Sequence, residues 1–106
     1  MTANTFEKIV NEQINRCEDL LIRKGKEYAP GVDRLGAFKK AAAILDCSQL
    51  MAALGMMSKH IVSVSDMILS GEHYVTSKWD EKITDAINYL LIIRAIVEED
   101  EGRAED

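Results

Sequence analysis

The sequence has few residues that interrupt helices, since only one of its 106 residues is proline and six are glycine. Apolar and polar residues do not alternate in the manner of a strand, so no β-strand is predicted. Hydrophobic residues make up 47% of the chain and charged residues 29%, which is typical of a globular protein. A chain of this length holds one hydrophobic core. These features predict an all-α domain.

The sequence also lacks the marks of an exported or membrane-spanning chain. Its longest stretch without Asp, Glu, Lys or Arg, from Cys47 to Ser58, is too short to cross a bilayer. No basic and apolar leader follows Met1. Cys17 and Cys47 have no CxxC spacing, so both are interpreted as small core residues. We expect a cytoplasmic protein that does not bind membranes.

Positive charge is not in excess, because the formal net charge is -5. Residues 98–106 carry six acids and one arginine, which leaves twelve charges of each sign in residues 1–97. We therefore predict one helical domain over residues 1–97 and an acidic C-terminal tail over residues 98–106. Binding to duplex DNA is disfavoured because it needs a basic face. A local excess of +4 does exist between Arg23 and Lys40.

Hydrophobic residues spaced by three and four predict a bundle of about four helices. The first is expected from about Thr5 to Tyr28, with Asn4 as N-cap and Glu7 in capping-box position. The others are expected from about Asp33 to Leu45, from about Cys47 to Leu69, and from a Ser77 N-cap to about Glu98. The predicted inward stripes are Phe6 or Val10, Ile14, Cys17, Leu21, Lys24 and Tyr28 in the first helix; Leu35, Phe38, Ala42 and Leu45 in the second; and Trp79, Ile83, Ala86, Leu90, Ile93 and Val97 in the fourth.

The predicted third helix is apolar on nearly every side, with Lys59, His60 and Asp66 as its ionisable residues. Four helices of this length cannot completely surround one of their number, so part of this helix is expected to face another subunit. A homodimer or a dimer of dimers is predicted.

A lysine at the inward position of Lys24 must extend to solvent, pair with a carboxylate or meet an anion. Extension to solvent near a helix end is the simpler interpretation. The neighbouring Lys26, Glu27 and Tyr28 favour the alternative, in which this segment holds phosphate. Tyr28 would then stack on the ligand or hydrogen-bond to it.

On the fourth helix, Glu81, Asp85, Asn88 and Ile92 are spaced so that they share one face. Carboxylates one turn apart can bind Mg²⁺ together with water and a substrate phosphate. Acidic residues near a helix N-terminus are also stabilised by the helix dipole, which is the structural alternative. Tyr89 follows Asn88 and is a candidate ligand contact.

On the third helix, Lys59, Ser63 and Asp66 share one face of an otherwise apolar segment. Either Lys59 and Asp66 form a structural pair at an interface, or they converge on the same pocket as Asp85. His60 falls within the apolar pattern and is interpreted as a satisfied core or interface histidine. The sequence contains no phosphate loop, dinucleotide fingerprint, zinc-ligand spacing or hydrolase elbow.

Three parts of the chain, in order, carry a family resemblance: Lys24-Gly25-Lys26-Glu27-Tyr28, then Phe38 and Lys59, then Asp85-Ala86-Ile87-Asn88-Tyr89-Leu90-Leu91. Together they resemble a phage-associated helical family, the nucleotide modification associated domain of type 1. Its pattern begins with Lys-Asn-x-Asp-Tyr-Gly and ends on a helix that bears Asp-x-x-x-Tyr. Here Gly25, Glu27 and Ala29 stand for the asparagine, aspartate and glycine, and the resemblance covers residues 17–97.

The helical layout also resembles all-α nucleoside triphosphate pyrophosphohydrolases of the MazG-like kind. Those enzymes hold Mg²⁺ with an ExxE pair on one helix and an ExxD pair on a later one. Glu81 and Asp85 are similar to the later pair with one extra residue between them, whereas the third helix offers only Asp66 for the earlier pair. The resemblance implies a nucleotide or nucleotide-like phosphate ligand and a phage origin more than it implies turnover.

The first functional hypothesis is a small phage-type protein that binds a nucleotide or nucleotide-like phosphate. Its ligand contacts would be Lys24, Lys26, Glu27, Tyr28, Lys59, Asn88 and Tyr89, and its Mg²⁺ ligands Asp85 with Glu81 or Asp66. If a bond is broken, phosphoanhydride hydrolysis by a metal-activated water is the expected reaction. The alternatives are a non-catalytic accessory protein that sequesters a nucleotide or binds a host protein, and a structural helical oligomer.

Overall fold

The computed structural model describes residues 1–28 and 33–102, and for Glu27 and Tyr28 it describes the backbone alone. The fold is all-α, and the predicted class of helical bundle is confirmed. The regular elements are α1 (Ala3–Glu18), a π-helical segment (Asp19–Lys24), α2 (Gly25–Tyr28), α3 (Gly36–Leu45), α4 (Gln49–Ser70) and α5 (Thr76–Asp100). The chain divides into two compact units, Met1–Val32 and Asp33–Asp106. Each unit is described by itself.

In the first unit, α1 begins earlier than predicted. The Thr2 side chain accepts a hydrogen bond of 3.2 Å from the Thr5 backbone N–H, so Thr2 is the N-cap. The predicted Asn4 N-cap is wrong, because Asn4 already lies inside the helix. A threonine at this position satisfies one of the free N–H groups of the first turn.

The predicted first helix is interrupted by the π-helical segment Asp19–Lys24. A π turn holds more residues than an α turn, so it rotates the side chains that follow away from a regular stripe. Lys24, the last residue of this segment, was predicted to point inward and is exposed. Of the same stripe, Cys17 is buried and Leu21 half-buried, whereas Phe6 and Ile14 are exposed. The backbone is helical as far as Tyr28, where the first helix was expected to end, and residues 29–32 lie outside the described residues.

In the second unit, α3 packs on α4 and α4 packs on α5. The buried core joins Leu35 and Phe38 to Ala53 of α4 and Ile96 of α5. α3 ends at Leu45, as predicted, where Asp46 adopts a left-handed conformation with φ 54°. Leu45, predicted to face inward, is exposed.

The helix α4 begins at Gln49 and is capped by Ser48, whose side chain accepts a hydrogen bond from the Met51 N–H at 3.1 Å. It ends at Ser70 and is followed by the C-cap Gly71, whose left-handed φ of 69° suits a residue without a Cβ atom. No single helix among the described residues is long and apolar enough to cross a membrane. Only α3 and α4 taken together, with a 97° bend between them, reach that length and composition.

The helix α5 begins at Thr76 with Val75 as its N-cap, which makes no side-chain capping bond. The predicted Ser77 N-cap is therefore wrong, because Ser77 lies within the first turn. The predicted inward stripe is also displaced: Leu90 is exposed, whereas Thr84, Asn88 and Ile96 are buried. The displacement was not predictable from hydrophobicity, because two of the three buried residues are polar.

Charged side chains connect the start of α3 to the end of α5. The Lys39 Nζ lies 2.6 Å from Asp33 Oδ2 and 3.3 Å from Glu99 Oε2. The hydrogen bond from Lys39, with a second from the Leu35 N–H, holds the pKa of Asp33 below its usual value, and Asp33 in turn raises the pKa of Lys39. Glu99 lies in the predicted acidic tail, so α5 continues through the first residues of that segment.

Replacing Ser48 with alanine is expected to lower the free energy of unfolding by about 1 kcal/mol, because it removes the N-cap of α4. The matched control is Ser77→Ala, which removes a serine that caps nothing and should change stability by less than about 0.5 kcal/mol. Urea denaturation of both variants measures the difference. Equal losses in the two variants would contradict the assigned caps.

The Asp33→Asn variant should have a pH-dependent stability defect, since the amide keeps an acceptor for the Leu35 N–H but loses the charge facing Lys39. Because the folded pKa of Asp33 is lowered, its stabilising effect is present above the unfolded value of about 3.9 and is lost as the pH falls through the folded pKa. The melting temperatures of wild type and variant should therefore differ at pH 7 and converge in acid. A difference independent of pH would show that the ion pair does not stabilise the fold.

Candidate ligand site on α4 and α5

Polar and aromatic side chains from α4 and α5 meet within the second unit. Residues 71–75 connect the two helices, which pack along each other, so His60 of α4 faces Asp85 and Tyr89 of α5. Asp85, Asn88 and Tyr89 were predicted as site residues on one helix, and all three lie on α5. His60 is the neighbour from α4 that the prediction did not include among the ligand contacts.

The contact between His60 and Asp85 is long. The His60 Nδ1 lies 3.7 Å from Asp85 Oδ2, and the two side chains are 18% and 28% exposed. Charge-assisted hydrogen bonds between nitrogen and oxygen are usually about 2.7–2.9 Å, so this pairing is weak. It is an ion pair only when the imidazole is protonated. The Asp85 carboxylate is thus partly accessible and held by no strong partner among the described residues.

Aromatic packing fixes His60 in place. The Tyr89 ring stacks on the imidazole at a centroid distance of 5.0 Å and an interplanar angle of 29°. The Phe38 ring meets Tyr89 edge-on at 6.3 Å. Such contacts add about 0.5–1.5 kcal/mol per pair beyond area burial. The sequence interpretation of His60 as a core or interface residue agrees with this half-buried, stacked position.

Asn88 is the least satisfied polar side chain of the group. It is 6% exposed, and its Oδ1 atom is buried without a hydrogen-bond partner among the described residues. A buried acceptor without a donor costs about 1–3 kcal/mol. Asn88 lies deeper in the protein than its neighbour Asp85, which is half-buried.

Glu81 lies one turn before Asp85 and is exposed. The predicted stripe therefore runs from exposed Glu81 through half-buried Asp85 to buried Asn88. Two carboxylates and an amide oxygen are donors that suit Mg²⁺. Among the described residues, no group of three or more His, Cys, Asp or Glu side chains is arranged to hold a metal ion. A cation bound here would need oxygens from a ligand and from water as well.

Lys59 and Asp66 do not join this group. Lys59 is exposed, and its contact with Ser63 is a hydrogen bond of 3.0 Å from the serine hydroxyl to the Lys59 backbone carbonyl. Asp66 lines a separate groove of about 260 Å³ with Ser63, Met67, Tyr74, Lys78 and Lys82. In the described part of the chain, no ion pair links Lys59 with Asp66 or either of them with Asp85. Among the described residues, Lys59 and Asp66 are therefore observed neither as a pair nor together with Asp85.

The remaining predicted ligand contacts belong to the first unit. Lys24 closes the π-helical segment and Lys26 lies in α2, and both side chains are exposed. The backbone of Glu27 and Tyr28 is helical, and their side chains lie outside the described residues. The phosphate-binding role of this segment stays a prediction.

Two features were not predicted from the sequence: the contact between His60 and Asp85, and the burial of Asn88. Both depend on the register of α4 against α5, which spacing along one helix does not specify. The polarity of Asn88 within an apolar stripe was the available signal, since residues that break a local pattern often lie at functional sites.

Replacing Asn88 with leucine, which has a similar shape, should keep or raise the free energy of unfolding by up to about 1 kcal/mol. The substitution removes the unpaired buried acceptor and adds apolar contact. Asn88→Ala is the matched comparison and should destabilise the protein, because it leaves a cavity. Chemical denaturation measures both. A loss of 2 kcal/mol or more in Asn88→Leu would mean that the amide makes a structural hydrogen bond.

Comparisons of the chain with protein-family models, with curated protein sequences and with solved structures give no match.

Proposed function

We propose that this domain binds a nucleotide or nucleotide-like phosphate ligand together with Mg²⁺, and that Asp85 and Asn88 supply oxygen ligands from α5. The buried Asn88 Oδ1 without a partner carries the proposal. An oxygen left without a donor lowers stability, and a ligand that pairs with it would offset that cost. Gln49 Oε1, at the start of α4, is also buried without a partner, but no contact places it in the group formed by His60, Asp85 and Tyr89 among the described residues. The adjacent Asp85 carboxylate provides the negative charge that a hard cation requires.

The oxygen atoms of Glu81, Asp85 and Asn88 are of the kind that Mg²⁺ binds. Mg²⁺ in nucleotide sites is usually held by one or two carboxylates, with phosphate oxygens and water completing the shell. Asp85 and Glu81 would supply the carboxylates, since they lie one turn apart on α5. The weak contact of Asp85 with His60, at 3.7 Å, would be a minor competitor for the cation. When bound, the metal would neutralise phosphate charge and could activate a water molecule for phosphoanhydride hydrolysis.

The protein side chains would position the ligand. Tyr89 and His60 form a stacked pair supported by Phe38, and this pair borders Asp85. Lys59 is the proposed phosphate contact within the second unit, because it is an exposed cation without an ion-pair partner among the described residues. Lys24 and Lys26 are exposed cations of the same kind, and they are proposed as phosphate contacts of the first unit by itself. Asp66 is less suitable as a metal ligand than Glu81, because it shares its groove with Lys78 and Lys82.

Binding without turnover is the alternative form of the same proposal. A phage accessory protein that sequesters a nucleotide would use the same oxygen donors and the same cations. Assays for pyrophosphate release with the nucleotide that binds best distinguish the two forms, because sequestration predicts binding with no product.

A nucleoside triphosphate with Mg²⁺ should stabilise the protein in a thermal-shift screen. At 100 times its dissociation constant a ligand contributes about 2.7 kcal/mol, which for a domain of this size is a rise of roughly 10 °C or more in the melting temperature. Asp85→Asn should abolish the Mg²⁺-dependent part of this rise, because the amide keeps the shape but removes the charge. Asp66→Asn is the matched control and should retain the full rise.

The melting temperature of each variant with ligand is compared with that of the same variant without ligand. The difference reports ligand binding alone, so a loss of stability from the missing contact with His60 is not mistaken for a loss of binding. Retention of the Mg²⁺-dependent rise in Asp85→Asn would remove Asp85 from the site, and loss of the rise in Asp66→Asn would contradict the preference for Glu81 over Asp66. Lys24→Ala, titrated beside Lys8→Ala on the exposed surface of α1, tests the phosphate contact in the first unit. Equal affinities of these two lysine variants would leave Lys24 as an ordinary surface residue.

A further inference from the structure

An apolar surface runs along one side of the pair α4 and α5. At its centre is a groove of about 380 Å³, lined by Ile61, Val64, Ser65, Ile68, Leu69, Ile83, Ala86 and Ile87. Leu54 continues the α4 stripe of Ile61 and Ile68 at intervals of seven, and Leu90 continues the α5 stripe of Ile83 and Ile87. We call these six stripe residues, Leu54, Ile61, Ile68, Ile83, Ile87 and Leu90, the apolar face.

The apolar face is too exposed to belong to the core of the second unit. Its α4 members Leu54, Ile61 and Ile68 are 46%, 47% and 64% exposed, and Leu90 is 55% exposed. Leu69, at the edge of the groove, is 80% exposed. Side chains in this state present on the order of 400 Å² of apolar surface, which is comparable with the largest apolar patch of a typical monomer, often a functional one, and is about half of the ~800 Å² that each partner buries in a stable complex.

Charge is excluded from the apolar face. Its six members are uncharged, and the α4 charges Lys59 and Asp66 lie on a different stripe, seven residues apart. At the end of the α5 stripe Arg94 pairs with Glu98 at 3.0 Å, which gives the face a polar border. An apolar centre depleted of charge with a polar rim is the composition of homodimer interfaces.

We propose that a second copy of this chain covers the apolar face, with the same face of that copy. In a two-fold dimer both copies use the same surface patch. An uncharged face therefore contacts itself without repulsion between like charges. Nucleic acid or a charged peptide would instead require charged side chains at the centre of the face. This inference is independent of the proposed ligand site, because none of the six residues belongs to that site.

Sedimentation equilibrium and light scattering of the full chain at micromolar concentration test the proposal. The wild type should be a dimer or a dimer of dimers. Ile61→Glu and Ile68→Glu should each weaken self-association at least about 30-fold, because a charge would be buried at the centre of the interface. Ile44→Glu is the matched control: Ile44 on α3 is 83% exposed and outside the face, so this variant should associate like the wild type.

Circular dichroism verifies that each variant folds, and Ile68→Gln is the milder substitution if a glutamate variant does not. A monomeric wild type overturns the proposal, and so does a dimer that both glutamate variants leave intact. Dissociation by Phe6→Glu together with full association of Ile61→Glu and Ile68→Glu would assign the contact to the exposed side of α1, and would equally overturn it. Loss of nucleotide binding with an intact dimer would contradict the proposed function alone.

Discussion

The packing of Ile96 with Ala53 is the constraint on which the second unit depends. Both side chains are completely buried, and Ile96 is the largest side chain in the described residues that reaches this state. Leu35 and Phe38 of α3 complete the cluster. A core of this size contains few large residues, so it can be closed only where the small side chain of alanine lets the helices approach closely. Because the core has room for few large residues, many large apolar side chains lie outside it.

The candidate site is an extension of this core. The Phe38 ring belongs to the buried cluster and meets Tyr89, Tyr89 stacks on His60, and His60 lies beside Asp85. Each step fixes the orientation of the next, so the half-buried Asp85 carboxylate is positioned by side chains that begin in the interior. A site supported in this way loses less conformational entropy on binding than one on a free loop.

The helices were predictable because proline and glycine are rare and apolar spacing is regular, and α3 ends where the sequence indicated, at Leu45. The predicted N-caps Asn4 and Ser77 were wrong, since the helices begin after Thr2 and Val75, and the starting point depends on the path of the preceding chain. The π-helical segment has no simple spacing signal, and Lys24 at its end is exposed like Phe6 and Ile14 before it. The shared face of Asp85 and Asn88 follows from spacing within one helix. Their partners across the helix pair depend on register, which tertiary packing sets.

Neighbouring residues of α4 belong to two different surfaces of the protein. His60 points to Asp85 and Tyr89, whereas Ile61, about 100° further around the helix, lines the apolar groove. Its apolar composition therefore has two physical causes, because one side closes the core beneath the candidate site and the other remains exposed in the single chain. Any contact that fixes α4 against α5 from the apolar side also stabilises the register that brings His60 to Asp85. By thermodynamic linkage, ligand binding and self-association would then favour each other, provided that both depend on this register.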